Sequence, residues 1–129
     1  MSNEAPEIQL RFKDDGKHIS IINGAKLTRR DISALIKEAE RRNRIVDLSG
    51  RDLSGLDLSK LTLGRANISG ANLTNANLSN STFFNSDLHD TNLSSTNLSY
   101  ADFSYANLSR TNLTGASIFD TNFFKANRS

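Results

Sequence analysis

Leucine, isoleucine or phenylalanine occupies every fifth position from Leu48 to Phe123, sixteen times in succession. A half-buried strand repeats every second residue and a helix every third or fourth, so a period of five suits neither. Repetition of this kind predicts a stacked architecture in which each unit touches only its neighbours. Ahead of the repeat the pattern differs. Ile8, Leu10 and Phe12 alternate with Gln9, Arg11 and Lys13, which predicts a strand with one buried face. His18-Ile19-Ser20-Ile21 alternates again after the turn-forming run Asp14-Asp15-Gly16-Lys17, so the two segments predict a β-hairpin that ends at Asn23-Gly24.

From Thr28 the period becomes helical. Ile32, Leu35, Ile36 and Ala39 form one apolar stripe, and Thr28 with Asp31 resembles a capping box in which Asp replaces the usual Glu or Gln. Arg41 and Arg42 suit the negative end of the helix dipole. A short helix with one apolar face must bury it. The open end of a stack, with its unpaired backbone and apolar interior, is the place predicted for it.

The chain has 129 residues, of which 36% are hydrophobic. That is modest for a globular core but sufficient where one inward residue in five serves a stacked coil. The absence of cysteine excludes disulfides and thiol catalysis, and zinc would need histidine or carboxylate ligands. Met1-Ser-Asn-Glu-Ala-Pro lacks the basic end and apolar stretch of a secretory signal, and no run has the length of a membrane span. Asn-x-Ser/Thr recurs at Asn67, Asn72, Asn77, Asn92, Asn97, Asn107 and Asn112, where a eukaryotic secretory pathway would meet glycosylation acceptors within packed strands. These features favour a bacterial cytoplasmic protein, with delivery into a host cell as an effector the alternative. Residues 1–45 hold ten Lys/Arg against seven Asp/Glu, whereas 46–129 hold six against seven, so the net positive charge belongs to the front segment.

Written out, the units run Ala66-Asn67-Ile68-Ser69-Gly70, Ala71-Asn72-Leu73-Thr74-Asn75, Ala76-Asn77-Leu78-Ser79-Asn80, and onward to Thr121-Asn122-Phe123-Phe124-Lys125. Over residues 46–127 the chain resembles the pentapeptide-repeat family, whose pattern is Ala/Ser/Thr, Asp/Asn, Leu/Phe, Ser/Thr and a free position. The resemblance implies an all-β solenoid, a right-handed quadrilateral β-helix with four pentapeptides per coil. In it the small residue and the central Leu/Phe point inward and the other three positions face solvent. The expected architecture is therefore four coils, 46–65, 66–85, 86–105 and 106–125, within a repeat domain spanning 46–129. Residues 1–45 form a small α+β cap of hairpin and helix.

The three central phenylalanines, Phe83, Phe103 and Phe123, lie twenty residues apart, with Leu63 one coil earlier. On the family geometry they form an internal ladder on one face. In the first coil the small inward position holds Val46, Arg51, Leu56 and Leu61, larger groups that suit an interior opening towards a cap, with Arg51 snorkelling at its rim. At the far end Ala126-Asn127-Arg128-Ser129 begins a further coil with Arg at the central position. Arg128 then blunts that edge, two chains meet there, or the polypeptide continues.

Catalytic signatures are missing. His18 and His89 are the two histidines, and His89 beside Asp87 and Asp90 reads as part of a surface row rather than a metal site. There is no phosphate-cradling glycine loop, nucleophile elbow or helical histidine pair. A non-enzyme without metal or cofactor is expected. Outward positions are mostly Ser, Asn, Asp, Gly or Thr, against which Phe84, Tyr100, Tyr105, Phe119 and Phe124 stand out as a partner-binding face. Phe84, Tyr105 and Phe124 fall on the phenylalanine-ladder face, with Tyr100 and Phe119 on the preceding one.

A second candidate is the basic set Arg29, Arg30, Arg41, Arg42 and Arg44. It would suit nucleic acid or an acidic membrane. A solvated helix face is the favoured reading, because no aromatic residue interleaves the arginines. The function expected is a protein-interaction module or scaffold. The alternatives are a DNA mimic protecting gyrase, as in some family members, and a spacer that associates through its C-terminal edge. The near-neutral repeat and the lack of a dimerisation helix weigh against mimicry.

Overall fold

The computed structural model describes residues 8–22 and 24–129. Its first elements are β1 (Leu10–Phe12), β2 (His18–Ile21), α1 (Arg29–Arg41) and β3 (Ile45–Val46). β1 and β2 pair antiparallel with Leu10 opposite Ile21 and Phe12 opposite Ile19. The turn between them places Gly16 at φ +70°, a conformation open to glycine without a side-chain clash. The strand expected from Ile8 starts two residues later. Asn23, at the expected end of the hairpin, lies outside the described residues.

Phe12 departs from the expected alternation. It is half-exposed rather than buried, its ring lying against Arg42 and Arg44 just beyond α1, whereas Leu10 is partly buried against the core. Burial in the hairpin comes from β2, whose Ile19 and Ile21 enter the core.

Thr28 caps α1 as its sequence suggests. Its side chain accepts from the Asp31 backbone N–H, and the Asp31 carboxylate accepts from the Thr28 backbone N–H at 2.9 Å. Ile32, Leu35, Ile36 and Ala39 face inward and share one buried cluster with β2, β3 and the repeat leucines. Thr28→Ala is expected to lower stability by about 0.5–2 kcal/mol by removing one half of this box. A fall in thermal midpoint, with helix content retained below the transition, checks it.

β3 leads the chain from the helix into the repeat and pairs parallel with β2, His18 opposite Ile45 and Ile19 opposite Val46. The Asp47 N–H continues this ladder to the Ile19 carbonyl at 2.8 Å. Further bonds join front segment and repeat: Lys26 Nζ to the Ser54 carbonyl at 2.7 Å, Arg29 to the Asp57 carbonyl at 2.7 Å, and Arg51 to the Ile21 carbonyl at 2.8 Å. Lys13 forms an ion pair with the buried Asp47 carboxylate.

In the repeat, every unit makes one turn. In fifteen of the sixteen units the third residue accepts from the N–H three residues on, as Leu48 does from Arg51 at 3.2 Å. The fifth residue is left-handed in all sixteen units from Gly50 to Lys125, with φ between 51° and 76°. That is the geometry of a type II turn, and it explains why Gly and Asn are frequent there. Asp or Asn at the second position folds its side chain back onto the backbone N–H two residues on, as Asn72 does to Thr74 at 3.0 Å. The expectation that three of five positions face solvent holds for the fifth position throughout and for second-position residues such as Asp52, Asn72 and Asn97. Several others at the second and fourth positions are partly buried, and Asp47, Ser104 and Ser109 fully so.

Parallel bridges join each second-position residue to the one twenty further on, from Asp47 with Asn67 to Asn107 with Asn127. One circuit therefore takes twenty residues. The central phenylalanines stack inside: Phe83 on Phe103 at 4.8 Å and 4°, and Phe103 on Phe123 at 5.8 Å and 18°. Interior hydroxyls are bonded to backbone carbonyls, Thr91 to Leu88 at 2.6 Å and Ser86 to Leu63 at 2.7 Å. No buried side-chain polar atom lacks a partner among the described residues.

Thirteen of the sixteen central residues are buried; the other three are not. Leu113 and Phe123 are partly exposed and Ile118 is 51% exposed, because no further circuit lies over them among the described residues. Arg128 covers one side of Phe123, its guanidinium 4.6 Å from the ring centre.

Candidate functional site

The type II turns and the twenty-residue register together place the outward aromatics. Phe84 and Phe124 occupy the fourth position of their units, and Tyr105 and Tyr100 the fifth. Phe84 meets Tyr105 edge-to-face at 5.6 Å, Tyr105 meets Phe124 at 5.8 Å, and Tyr100 meets Phe119 at 5.5 Å. All five are between 44% and 63% exposed. The arrangement is two aromatic columns, of three rings and of two, rather than five scattered side chains.

Two of these residues sit in costly backbone. Tyr100 and Tyr105 both have φ of 61°. A bulky L-residue in this region costs roughly 1–2 kcal/mol relative to the ordinary basins, where glycine would cost little. The side chains that carry this strain remain largely in water.

The basic residues do not form one patch. Arg29 and Arg30 lie in the first turn of α1, while Arg41, Arg42 and Arg44 lie at its far end, about 18 Å away at the helical rise. Arg42 and Arg41 bond Glu38 at 2.9 and 3.1 Å, and these contacts, Arg42's first, hold the Glu38 carboxyl below its ordinary range. Arg29 pairs with Asp57 at 3.5 Å. Arg30 is exposed.

One sequence-based premise needs correction here. Phe12, some thirty residues earlier in the chain, lies beneath both Arg42 and Arg44, whose guanidiniums stand 5.0 and 5.2 Å from its ring centre. An aromatic residue does interleave these arginines, in space if not in sequence. Each guanidinium is already engaged within the chain, Arg44 donating to the Lys13 and His18 carbonyls at 3.4 and 3.3 Å.

His89 bonds Asp87 at 2.5 Å, and Asp90 is held by Arg110 from the next circuit at 2.7 and 3.1 Å. The Arg110 guanidinium lowers the Asp90 pKa, and Asp90 in turn raises that of Arg110. Among the described residues no cluster of His, Cys, Asp or Glu could hold a metal ion, and no helix is long and apolar enough to cross a membrane. A groove that neither sequence reading anticipated lies beside Phe84, between α1 and the repeat, with a volume of about 430 Å³. Its signal was available in the chain, as a break in the fourth-position column at Gly64.

Comparison with known proteins gives three findings. A family described as pentapeptide repeats matches in eight copies over residues 46–80, 63–99 and 91–127. No curated protein matches. Similar solved structures include HetL, a pentapeptide repeat protein involved in heterocyst differentiation regulation in Nostoc sp. strain PCC 7120. It is 33% identical with a TM-score of 0.48, over 62% of this chain and 39% of HetL. QnrB1, a plasmid-mediated fluoroquinolone resistance protein, is 16% identical with a TM-score of 0.58, over 64% of this chain and 41% of QnrB1. A pentapeptide repeat protein of the Arabidopsis thaliana thylakoid lumen is 38% identical with a TM-score of 0.38, over 61% and 62%. The chain thus spans about two fifths of the length of the first two.

Proposed function

Since the chain belongs to the pentapeptide-repeat family of right-handed β-helices, whose members are generally structural or interaction modules, we propose that it is a non-enzymatic module that binds a protein partner through its aromatic columns. Residues 46–129 form the four-coil rod that presents them, and the described residues before it, 8–22 and 24–45, cap its start. The observation that carries this reading is the placement of Tyr100 and Tyr105 in left-handed backbone with half-exposed rings. The other left-handed corners hold Gly, Asn or another polar or charged residue, so Tyr100 and Tyr105 alone combine this backbone with an exposed aromatic ring. Strain retained at exposed aromatics is accounted for by a role outside the fold, and large rigid rings are the usual anchors of protein interfaces. The partner is met in a bacterial cytoplasm, or in a host cell if the protein is delivered there.

Association between copies at the last circuit is a second reading, favoured by the half-exposed Leu113, Ile118 and Phe123. Gyrase protection by DNA mimicry has less support. The likeness to QnrB1 at 16% identity is one of fold, and seven acidic against six basic residues in 46–129 do not make a DNA-like rod.

The test is affinity capture from a bacterial lysate with wild type and a Tyr100→Gly, Tyr105→Gly, Phe119→Ser, Phe124→Ser variant. Glycine suits both corners, so the variant is expected to fold. A specific partner captured by wild type and lost from the folded variant is the expected result. An identical captured set from both proteins would rule out the aromatic columns as the site.

A further inference from the structure

The sixteen units serve as an internal comparison, and three of their departures from pattern lie together, at Thr62, Gly64 and Thr82. At the fourth position every unit from Ser49 to Phe124 carries Ser, Thr, His or Phe, except the unit with Gly64. Backbone geometry does not require this glycine, since its φ lies outside the left-handed range. A Cβ built there would meet only the Phe84 carbonyl oxygen, at an ordinary 3.5 Å. The second position departs as well: Thr62 and Thr82 stand in adjacent circuits where most units have Asp or Asn.

These departures line the groove between α1 and the repeat. Its floor is apolar, made by Ile36, Ala39, Val46 and Leu63, and the half-exposed Phe84 ring forms a wall. A serine or larger residue at position 64 would project over the Phe84 backbone and narrow it. The volume of about 430 Å³ lies within the range of pockets that accept ligands.

Charge at the rim selects the occupant. Two arginines, Arg44 and Arg65, and one carboxylate, Glu40, line the groove. The Arg44 guanidinium bonds carbonyls rather than a carboxylate, and Arg65 makes no side-chain hydrogen bond or ion pair among the described residues. Apolar floor, aromatic wall and uncompensated guanidinium together match an apolar side chain flanked by carboxylates, which arginine binds as a bidentate partner. From the groove, Phe84 continues into the Tyr105–Phe124 column, so a segment seated there can run on along the rings.

We infer that this groove, opened by Gly64, takes an acidic peptide segment of the protein partner, seating one apolar side chain over Leu63 beside Phe84 with a flanking carboxylate on Arg65. This rests on the protein-interaction reading and specifies its partner. Other occupants separate in the test.

The experiment titrates the full chain, observed by amide NMR, with three synthetic peptides. One has a central leucine flanked by glutamates, one has lysines in place of the glutamates, and one has serine in place of the leucine. The expected result is saturable movement of the amides of 62–65 and 82–84 with the first peptide alone. Gly64→Leu, which fills the groove at a position free of backbone constraint, should weaken binding at least about tenfold, or 1.4 kcal/mol. Arg65→Asn, which keeps a residue tolerant of left-handed backbone, should weaken it several-fold while the remaining spectrum stays in place. The inference is overturned by lack of saturation at millimolar peptide, by equal binding of the lysine peptide, or by binding that Gly64→Leu leaves intact. Movement of the same amides on concentrating the protein without peptide would identify a second copy as occupant and overturn it too. Lysate capture separates the two proposals. Loss in the aromatic-column variant but not in Gly64→Leu would refute the groove and leave the interaction module standing.

Discussion

Replacing Phe103 with alanine is expected to lower the unfolding free energy by about 3–5 kcal/mol, the largest loss from a single truncation in the repeat. Phe103 is wholly buried and stacked between Phe83 and Phe123. Its removal leaves a cavity the stack cannot close, because each circuit is held in register by bridges above and below. Phe123→Ala, in the same column one circuit on, is expected to cost clearly less, since that ring is partly exposed and its outer side is covered by Arg128 alone. Chemical denaturation of the two variants side by side decides the point. Equal losses would mean that stability does not follow burial along the column.

The second large effect is expected at Asp47, the acid that joins hairpin, β3 and first circuit. Its buried carboxylate accepts from the Ser49 N–H at 2.9 Å and pairs with Lys13 of the hairpin turn. Burial by itself would raise its pKa. The Lys13 ammonium and the Ser49 N–H outweigh burial, so the group lies below its ordinary value of about 3.9. A carboxylate with a lowered folded pKa binds fewer protons folded than unfolded. Its contribution is therefore complete above the unfolded pKa and is lost as pH falls through the folded one.

Asp47→Asn is thus expected to cost about 1.5–3 kcal/mol at neutral pH, the scale of a hydrogen bond to a charged group, and the gap from wild type should shrink as pH drops below about 4. Lys13→Met should also be costly near neutrality, because it leaves the buried carboxylate with the Ser49 N–H but without its cation. Thermal melts of the three proteins across the acid range check the sign. A gap that is constant with pH would show that the carboxylate's charge is not what matters.

What the chain reveals in one dimension follows the reach of each interaction. Phe83, Phe103 and Phe123 are spaced by one circuit, so their stacking could be read from numbering alone. Thr28 and Asp31 form a local motif three residues apart, equally legible. Ile118 was misjudged because its exposure depends on whether a circuit covers it, which its own unit does not encode. The Phe12–Arg44 contact was hidden for a related reason: the register of β1 on β2 brings together groups more than thirty residues apart. Gly64 is visible in the sequence, but that its missing side chain opens a groove depends on α1 lying beside that face, which the unit itself does not encode.

The twenty-residue register also sets how the length of such a chain can change. Insertion or loss of one pentapeptide keeps every turn intact, but rotates all later units by one side of the prism. Placed between Phe84 and Phe103, such a change would take Phe103 and Phe123 out of the column of Phe83 and part Tyr105 and Phe124 from Phe84. Only a change by a whole circuit preserves both interior stack and exterior face. Length variation in this molecule is therefore quantised twice, in fives for the backbone and in twenties for anything that reads its surface.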